Sequence, residues 1–295
     1  MNASADVITP PAPTALAGVR VVSIALNLPG PACARRLADF GATVVKVEPP
    51  SEMGGDPMRT YARGYYDELH QGIEIRTLDL KSDAGRSALD EYLATADVFL
   101  TSQRTAALTR LKLDGNTLSV RFPRLCQIAI VGSDAGNDAG HDLTYIADAG
   151  LATPPHLPAT LIADLAGGER AATAAFAALR IAQQTGQGQR IVVSLASAAI
   201  AFAGPHRHGL TSPGGLLAGK HPGYNFYRAD DGWVVLAALE PHFAARVATA
   251  AGVEFTQQAL TDFFRRRNVS DWSQWAQTHD IPLAVIPFPP PTSPT

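Results

Sequence analysis

The sequence predicts an α/β protein with a parallel sheet, followed by a smaller second domain. Apolar, β-branched runs at residues 19–26 and 42–47 flank a helical stretch at residues 32–40, which together form a β-α-β unit. The two runs are continuous rather than alternating, as expected for parallel strands that are covered on both faces. The composition changes after Ala203, where glycines, prolines and histidines gather without periodicity. This change predicts that a second unit begins there.

Further elements continue the alternation of strand and helix up to about residue 196. Predicted helices cover residues 82–95, 105–111 and 168–184, and predicted strands cover residues 96–100, 125–131 and 189–196. Residues 132–140 are rich in Gly, Asp and Asn and predict a turn or loop. Glycines at positions 186 and 188 predict the end of the long helix.

The second unit is predicted to be a small α+β domain. A hairpin is expected from residues 224–228 and 233–239, which flank an Asp-Asp-Gly turn, and helices are expected at residues 241–251 and 271–279. The predicted domain organisation is a disordered tail at 1–15, a large domain at 16–203, a linker or active-site loop at 204–223, a small domain at 224–286 and a Pro-rich tail at 287–295.

Composition excludes several classes of protein. Hydrophobic residues make up 46% of the chain and charged residues 17%, which excludes global disorder. The net charge is −3 and no block of like charge occurs, so neither a nucleic acid nor a membrane is an expected partner. The first fifteen residues lack the basic and apolar regions of a signal peptide, and no apolar stretch approaches the length of a membrane span, so a cytoplasmic location is predicted. The two cysteines predict buried thiols rather than a disulfide.

Common cofactor and metal motifs are missing from the sequence. The turn after the first strand reads NLPGPACA, whose single glycine between two prolines does not match the G-x-G-x-x-G of nicotinamide-binding proteins. His206, His208 and His221 lie in a glycine-rich and proline-rich segment without acidic neighbours, and solvated loop histidines explain them better than a metal site does. No metal and no tightly bound cofactor are therefore predicted.

Three residues are candidates for chemistry. His141 lies in a Gly-His-Asp motif, Asp164 precedes a long helix, and Glu240 follows a predicted strand. Each also has a structural explanation: His141 as a hydrogen-bonded structural histidine, Asp164 as a helix N-cap and Glu240 as a carboxylate in the first turn of a helix. Spacing alone does not choose between the two explanations.

A series of linked motifs favours the chemical explanation of these three residues. They occur in family order from about residue 16 to residue 286: LAGVRVV, GPACARRLADFGATVVKVEPP, LDLKS, ADVF with the following Arg104, AGHDLTY, ADLAGG, TGQGQRIVVSL and DGWVVLAALEPHF. Together they resemble the CaiB/BaiF family, which contains the family III CoA-transferases and the α-methylacyl-CoA racemases. The resemblance implies a Rossmann-like large domain, a small domain, an interlocked homodimer, and coenzyme A bound between the domains as part of an acyl-CoA substrate.

The resemblance also implies roles for individual residues. In the transferases the aspartate that matches Asp164 attacks the acyl-CoA thioester and forms a mixed anhydride. In the racemases it exchanges a proton at the α-carbon, opposite a histidine that matches His141 and is oriented by a glutamate that matches Glu240. The backbone amide of Asp142 is then a candidate donor to the enolate oxygen. The presence of both His141 and Glu240 favours the racemase branch.

Four positions match residues that contact coenzyme A in the family: Arg104, the basic residue after the ADVF strand, and Lys46, Leu78 and Lys81 at the nucleotide end. For Lys46 and Lys81 an ordinary surface cation is an equally good explanation. The stretch before LDLKS lacks the cation usual in the family, and Arg76 is the candidate that replaces it. The interval from His141 to Asp164 is shorter than in typical racemases, and family members normally continue beyond residue 286.

Three hypotheses follow. The first is an acyl-CoA enzyme of the racemase type that uses His141 and Asp164. The second is a CoA-transferase that uses Asp164 as nucleophile. The third, from a different functional class, is a non-catalytic acyl-CoA-binding or scaffold protein that descends from such an enzyme.

Overall fold

The computed structural model describes residues 15–134 and 139–289. The predicted tails at 1–15 and 287–295 lie mostly outside these ranges, as does part of the predicted loop at 132–140. The chain divides into two compact units, Met1–Ala203 (unit 1) and Gly204–Thr295 (unit 2). No helix within the described ranges is long and apolar enough to cross a membrane.

Unit 1 contains a parallel sheet, and the described part of the chain supplies six strands to it. They are β1 (Arg20–Ser23), β2 (Thr43–Glu48), β3 (Glu74–Thr77), β4 (Val98–Thr101), β5 (Cys126–Val131) and β6 (Arg190–Ser194). Their order in the sheet is β3-β2-β1-β4-β5-β6, and each neighbouring pair is parallel. The predicted α/β class and parallel sheet are confirmed. Strand β3 was not predicted, because this edge strand is polar and mostly exposed.

The strand order creates a crevice. From β1 the chain moves outward to β2 and β3, then returns to the other side of β1 to form β4. The connections that leave the carboxyl ends of β1 and β4 therefore run in opposite directions. In open α/β sheets ligands bind at this switch point, outside the carboxyl ends of the strands.

Helices cover both faces of the sheet. They are α1 (Pro29–Asp39), α2 (Met58–Tyr61), α3 (Arg63–Leu69), α4 (Asp83–Leu93), α5 (Thr105–Arg110), α6 (Gly115–Arg121), α7 (Asp142–Asp148), α8 (Ile162–Thr185) and α9 (Leu195–Phe202), with a 3-10 turn at Ser51–Met53. Helices α1, α8 and α9 share one hydrophobic core with the sheet, and α4, α5 and α6 share a second core. Adjacent strand residues divide between the two cores, since Val21 belongs to the first and Val22 to the second.

Helix α8 packs closely against α1 through small side chains. The buried face of α8 includes Ala171, Ala172 and Ala175. A Cβ at Gly168 would lie 3.0 Å from both the Ala32 Cβ and the Pro29 carbonyl oxygen, so glycine is what fits there. The helix begins at Ile162, six residues before the predicted start, and it ends at Gly186 with φ 74°. The N-cap is Leu161, so the alternative of Asp164 as the N-cap is wrong.

Unit 2 contains an antiparallel sheet in the order β7-β8-β9. Its described elements are α10 (Gly204–Arg207), a π-helical turn (Leu216–Lys220), β7 (Tyr224–Arg228), β8 (Gly232–Ala237), α11 (Pro241–Ala251), α12 (Gln257–Phe264), α13 (Val269–His279) and β9 (Leu283–Pro287). The helices bury an aromatic core that includes Phe264 and Trp272. The expected hairpin is present, whereas α12 and β9 were not predicted. Residues 204–223 form short helical segments where the sequence predicts a linker or loop.

The tight contact between β1 and α1 gives a stability prediction. A Cβ at Gly30 would lie 2.3 Å from the Ala25 Cβ and 3.0 Å from the Ala25 carbonyl carbon, closer than atoms can approach. We expect Gly30→Ala to lower the free energy of unfolding by about 1–3 kcal/mol, as overpacking does elsewhere. The control is Gly64→Ala in α3, where nothing lies within 4 Å of the added Cβ. Equal urea midpoints for the two variants would contradict the packing described here.

Candidate active site

A cavity of about 790 Å³ opens at the carboxyl ends of β1, β4 and β5. Its walls come from the segments that follow these strands, and they include Asn27, Gln103, Arg104 and His141, with Asp164 from the first turn of α8. The volume falls in the range of small-molecule sites, and the position is the switch point of the sheet. The cavity therefore combines polar side chains from several separate segments of unit 1.

Asp164 is partly buried in this cavity. Its backbone N–H donates a hydrogen bond of 2.9 Å to Oδ1 of Asp142, which lies at the start of α7. Burial and, to a smaller extent, the nearby charge of Asp142 raise the pKa of the Asp164 carboxyl against the opposing effect of His141, and together they set it at about 6. A carboxyl with this pKa is ionised at neutral pH and is a better proton acceptor than an exposed aspartate.

His141 is the N-cap residue of α7 and lines the same cavity as Asp164. Its backbone is fixed by Thr144, whose Oγ1 accepts from the His141 N–H at 3.1 Å and donates to the His141 carbonyl oxygen at 2.7 Å. The Gly-His-Asp motif thus places a histidine at a helix start and an aspartate in the first turn. His141 and Asp164 give the cavity two groups that can transfer protons.

Glu240 lies in unit 2. It is the N-cap residue of α11, is exposed, and accepts no capping hydrogen bond through its side chain. Its expected pairing with His141 stays a prediction.

A second cavity, of about 470 Å³, adjoins the first, because Gln103 lines both. Apolar side chains such as Ile24 and Leu111 form its walls, and Leu78 and Lys81 belong to it. Two further cations, Arg86 and Arg110, and one acidic residue, Asp79, also line it. An apolar slot with several cations suits a planar ring that carries phosphate groups.

The position of Lys46 contradicts the expectation that this residue contacts the nucleotide end of coenzyme A. Its ammonium is fully buried on β2 and lies 2.5 Å from Asp56 Oδ2, 3.0 Å from Glu48 Oε1 and 2.8 Å from His70 Nε2. These contacts leave no surface on Lys46 for a ligand. The candidate replacement Arg76 is paired with Glu74 and lines neither cavity.

The buried Lys46 instead stabilises the loop after β2. Burial by itself raises the pKa of Glu48, but the hydrogen bond from Tyr66 and the charge of Lys46 outweigh it and hold that pKa below its usual value. Asp56 Oδ1 accepts from the backbone N–H of Asn27 at 3.2 Å, which connects this ionic cluster to the wall of the larger cavity.

Sequence reasoning missed several lining residues. Asn27 and Tyr61 line the larger cavity, and the Tyr61 hydroxyl donates to Asn27 Oδ1 at 3.2 Å. Arg86 and Arg110 line the smaller one. The signal for the two arginines was a basic residue on each helix that follows β3 and β4, but helix cations are common on protein surfaces. No group of three or more metal-binding side chains occurs in the part of the chain that the structure describes.

Comparison with known proteins identifies the family. The model of CoA-transferase family III matches residues 16–288, which is most of the chain. The chain belongs to CoA-transferase family III. The resemblance to the CaiB/BaiF family is thereby confirmed.

This chain is similar to relatives from both catalytic branches, the transferases and the racemases. It is 33% identical to a cinnamoyl-CoA:phenyllactate CoA-transferase of Clostridium sporogenes, over 80% of this chain and 65% of that protein. It is 28% identical to the human alpha-methylacyl-CoA racemase, over 88% of this chain and 74% of the racemase. The chain thus spans somewhat less than two thirds of the length of the clostridial transferase.

Two solved structures share the fold. A hypothetical protein of Mycobacterium tuberculosis superposes with a TM-score of 0.77 at 24% identity, over 93% of this chain and 85% of that one. A CaiB/BaiF family protein of Brucella suis superposes with a TM-score of 0.74 at 22% identity, over 93% of this chain and 84% of that one. At these identities the comparison shows the fold alone.

The burial of Lys46 gives a second prediction. Lys46→Met leaves the buried carboxylate of Asp56 without its cation and leaves Glu48 with Arg59 alone, and we expect the free energy of unfolding to fall by about 3–5 kcal/mol. The control Lys81→Met removes an exposed charge and should change stability by less than about 0.5 kcal/mol. Denaturant unfolding of both variants measures the difference. A Lys46→Met variant as stable as the wild type would show that the ionic cluster does not support the fold.

Proposed function

We propose that this family member exchanges the α-proton of a 2-methylacyl-CoA thioester and thereby racemises the α-carbon. One observation carries the proposal: Asp164 and His141 line the same cavity at the switch point of the sheet. A racemisation needs two acid/base groups that reach opposite faces of one carbon. The raised pKa of Asp164 suits it to accept a proton near neutral pH.

The chemistry proceeds by two proton transfers, one from the α-carbon to Asp164 and one from His141 to the α-carbon. The Asp164 carboxylate takes the α-proton, and the electron pair of the C–H bond moves into an enolate whose charge lies on the thioester oxygen. The imidazolium of His141 then donates a proton to the opposite face of the α-carbon, which restores the thioester with inverted configuration. The enzyme is left with Asp164 protonated and His141 neutral, ready for the reverse reaction.

The adjoining cavity supports a CoA thioester as the substrate class. Its apolar walls suit the adenine ring, and Lys81, Arg86 and Arg110 supply positive charge for the phosphates. Gln103 lies where the two cavities meet, so an extended pantetheine arm can run from the nucleotide end to Asp164. Arg104 lines the catalytic cavity and is a further candidate contact to this arm.

A CoA-transferase reaction is the second candidate, favoured by the 33% identity to the clostridial transferase. In this reaction an Asp164 oxygen attacks the thioester carbonyl, the CoA thiolate leaves, and a mixed anhydride forms between Asp164 and the acyl group. The thiolate then attacks the Asp164 carbonyl of the anhydride, which releases the donor acid and leaves a CoA thioester on Asp164. The acceptor carboxylate attacks this thioester and forms a new anhydride with Asp164, and the released thiolate attacks its acyl carbonyl to give the new acyl-CoA and free Asp164. This route requires Asp164 but not His141.

Deuterium exchange tests the proposal. The protein is incubated in D₂O with each enantiomer of a 2-methylacyl-CoA, and deuterium at the α-carbon is followed by mass spectrometry and the configuration by chiral analysis. We expect racemisation with deuterium entry, and at least a hundredfold loss of the racemisation rate in Asp164→Asn and in His141→Ala. Asp148→Asn, an exposed change at the other end of α7, serves as the control.

The other hypotheses give different results in this test. Racemisation that survives both substitutions would overturn the proposal. Absence of exchange, together with inactivation by hydroxylamine during turnover with an acceptor acid, would assign the transferase reaction. Binding of acyl-CoA without either reaction would leave the non-catalytic hypothesis. The homodimer and the cytoplasmic location remain predictions.

The pH dependence gives a third prediction. The transferase reaction needs Asp164 ionised, and so does racemisation of the enantiomer whose α-proton Asp164 removes. The pKa of Asp164 is raised from 3.8 to about 6. The rate constant kcat/KM should therefore fall tenfold per pH unit below about pH 6. A plot of kcat/KM that stays level from pH 7 down to pH 4.5 would contradict the burial of Asp164 described above.

A further inference from the structure

We propose that the carboxylate of Asp142 is a positioning group for Asp164, fixing the first turn of α8 and setting a second negative charge beside the reactive carboxylate. The inference rests on the proposed function, since it assigns Asp142 a role in preparing the group that accepts the proton. It is separate from the expected role of the Asp142 backbone amide.

The geometry connects Asp142 to both acid/base groups. Asp142 is buried, with 4% of its surface exposed. Its Oδ1 accepts the Asp164 N–H at 2.9 Å across 22 residues of sequence, and its backbone directly follows His141. One residue thus fixes the position of the α8 first turn relative to the segment that carries His141.

Helix α8 needs such an acceptor. The first N–H groups of a helix have no partner within the helix, and the N-cap residue Leu161 has no side chain that could accept from them. The Asp142 carboxylate accepts from one of these groups in place of an N-cap side chain. A neutral asparagine or serine could also accept this hydrogen bond, so the hydrogen bond alone does not explain a negative charge at this position.

The negative charge has a consequence for Asp164. The titratable or charged groups that face Asp164 are Asp142 and His141 beside it, Tyr61 from α2, and Arg104 and Tyr145 on the wall of the same cavity. Among these described groups Asp142 supplies the like charge, which makes the ionised form of Asp164 less favourable. Burial raises the pKa of Asp164 first, and Asp142 raises it further. Asp142 therefore makes Asp164 a stronger base.

The variant Asp142→Asn separates the effect of the negative charge from the effect of the hydrogen bond. The asparagine keeps a carbonyl oxygen for the Asp164 N–H but removes the charge, so the pKa of Asp164 should fall. We expect the acid limb of kcat/KM to move to lower pH by about one unit. The rate on the plateau should fall several-fold, because a weaker base accepts the α-proton more slowly. Asp142→Ala removes the acceptor as well and should lower the plateau rate further.

The same shift should appear without catalysis. In protein labelled with ¹³C at aspartate carboxyl groups, the Asp164 resonance is assigned by its loss in Asp164→Asn, and its titration midpoint is read by NMR. Asp142→Asn should lower the midpoint by about one unit, whereas Asp148→Asn, which also removes a negative charge from α7, should leave it unchanged. An unchanged midpoint in Asp142→Asn would overturn the proposal, because Asp142 would then act only as a cap.

The pH profile of kcat/KM and the NMR midpoint of Asp164 also test this inference separately from the proposed function. If the wild type neither exchanges the α-proton nor forms an anhydride, the proposed function fails, but the NMR midpoint still decides whether Asp142 acts on Asp164. If Asp142→Ala does not fold, Asp142→Asn still decides it, since asparagine retains the acceptor. A shifted midpoint together with an unshifted acid limb would overturn the claim that Asp142 prepares Asp164 for the reaction.

Discussion

The close packing of α8 on α1 is the contact on which the candidate site depends. Helix α8 connects β5 to β6, so its first turn lies at the carboxyl edge of the sheet. Glycine and alanine side chains let the helix lie close to α1, and this fixes where that first turn sits. Asp164 belongs to the turn, and the loops after β1, β4 and β5 supply the remaining walls of the cavity. A bulkier residue at Gly168 would move the helix and with it the Asp164 carboxylate.

Lys46 and Asp164 of unit 1 are both removed from water, but Lys46 lies beside opposite charges and Asp164 lies beside a like charge. Lys46 is surrounded by Asp56 and Glu48, so its charge is compensated and serves the fold. Asp164 is desolvated beside a like charge, and its pKa is raised from 3.8 to about 6. A raised carboxyl pKa disfavours the ionised form in the folded state, so this group lowers stability as pH rises above 3.8, with the full cost present above about pH 6. Such destabilising arrangements are typical of reactive groups.

The sequence predicted the elements that carry strong local signals. The β-α-β opening, the hairpin of unit 2 and helix α11 were all predicted, since continuous apolar runs, turn residues and amphipathic periodicity are visible in the chain itself. Strand β3 was missed because it is a polar and mostly exposed edge strand. Helix α12 was missed although its N-cap Thr256 and its amphipathic face are visible in the sequence. The start of α8 was placed too late, because two glycines in its first turns resemble a helix boundary.

The candidate site was predictable only in part. His141 and Asp164 were candidates from the sequence and received their roles from the family resemblance, but nothing in the spacing showed that they share a cavity. Lys46 was misassigned, because a lysine in an apolar strand gives no sign of the carboxylates that surround it in the fold. The hydrogen bond from Asp164 to Asp142 joins residues 22 positions apart, and only the folded chain brings them together.

The measurement that tests the central claim most directly is the position of a bound thioester analogue relative to Asp164. A crystal structure with a non-cleavable 2-methylacyl-CoA analogue, in which a methylene group replaces the thioester sulfur, would give this distance. We expect the adenine ring in the cavity lined by Lys81 and the α-carbon about 3–3.5 Å from an Asp164 carboxylate oxygen. An analogue bound with its α-carbon outside the cavity shared by His141 and Asp164 would contradict it.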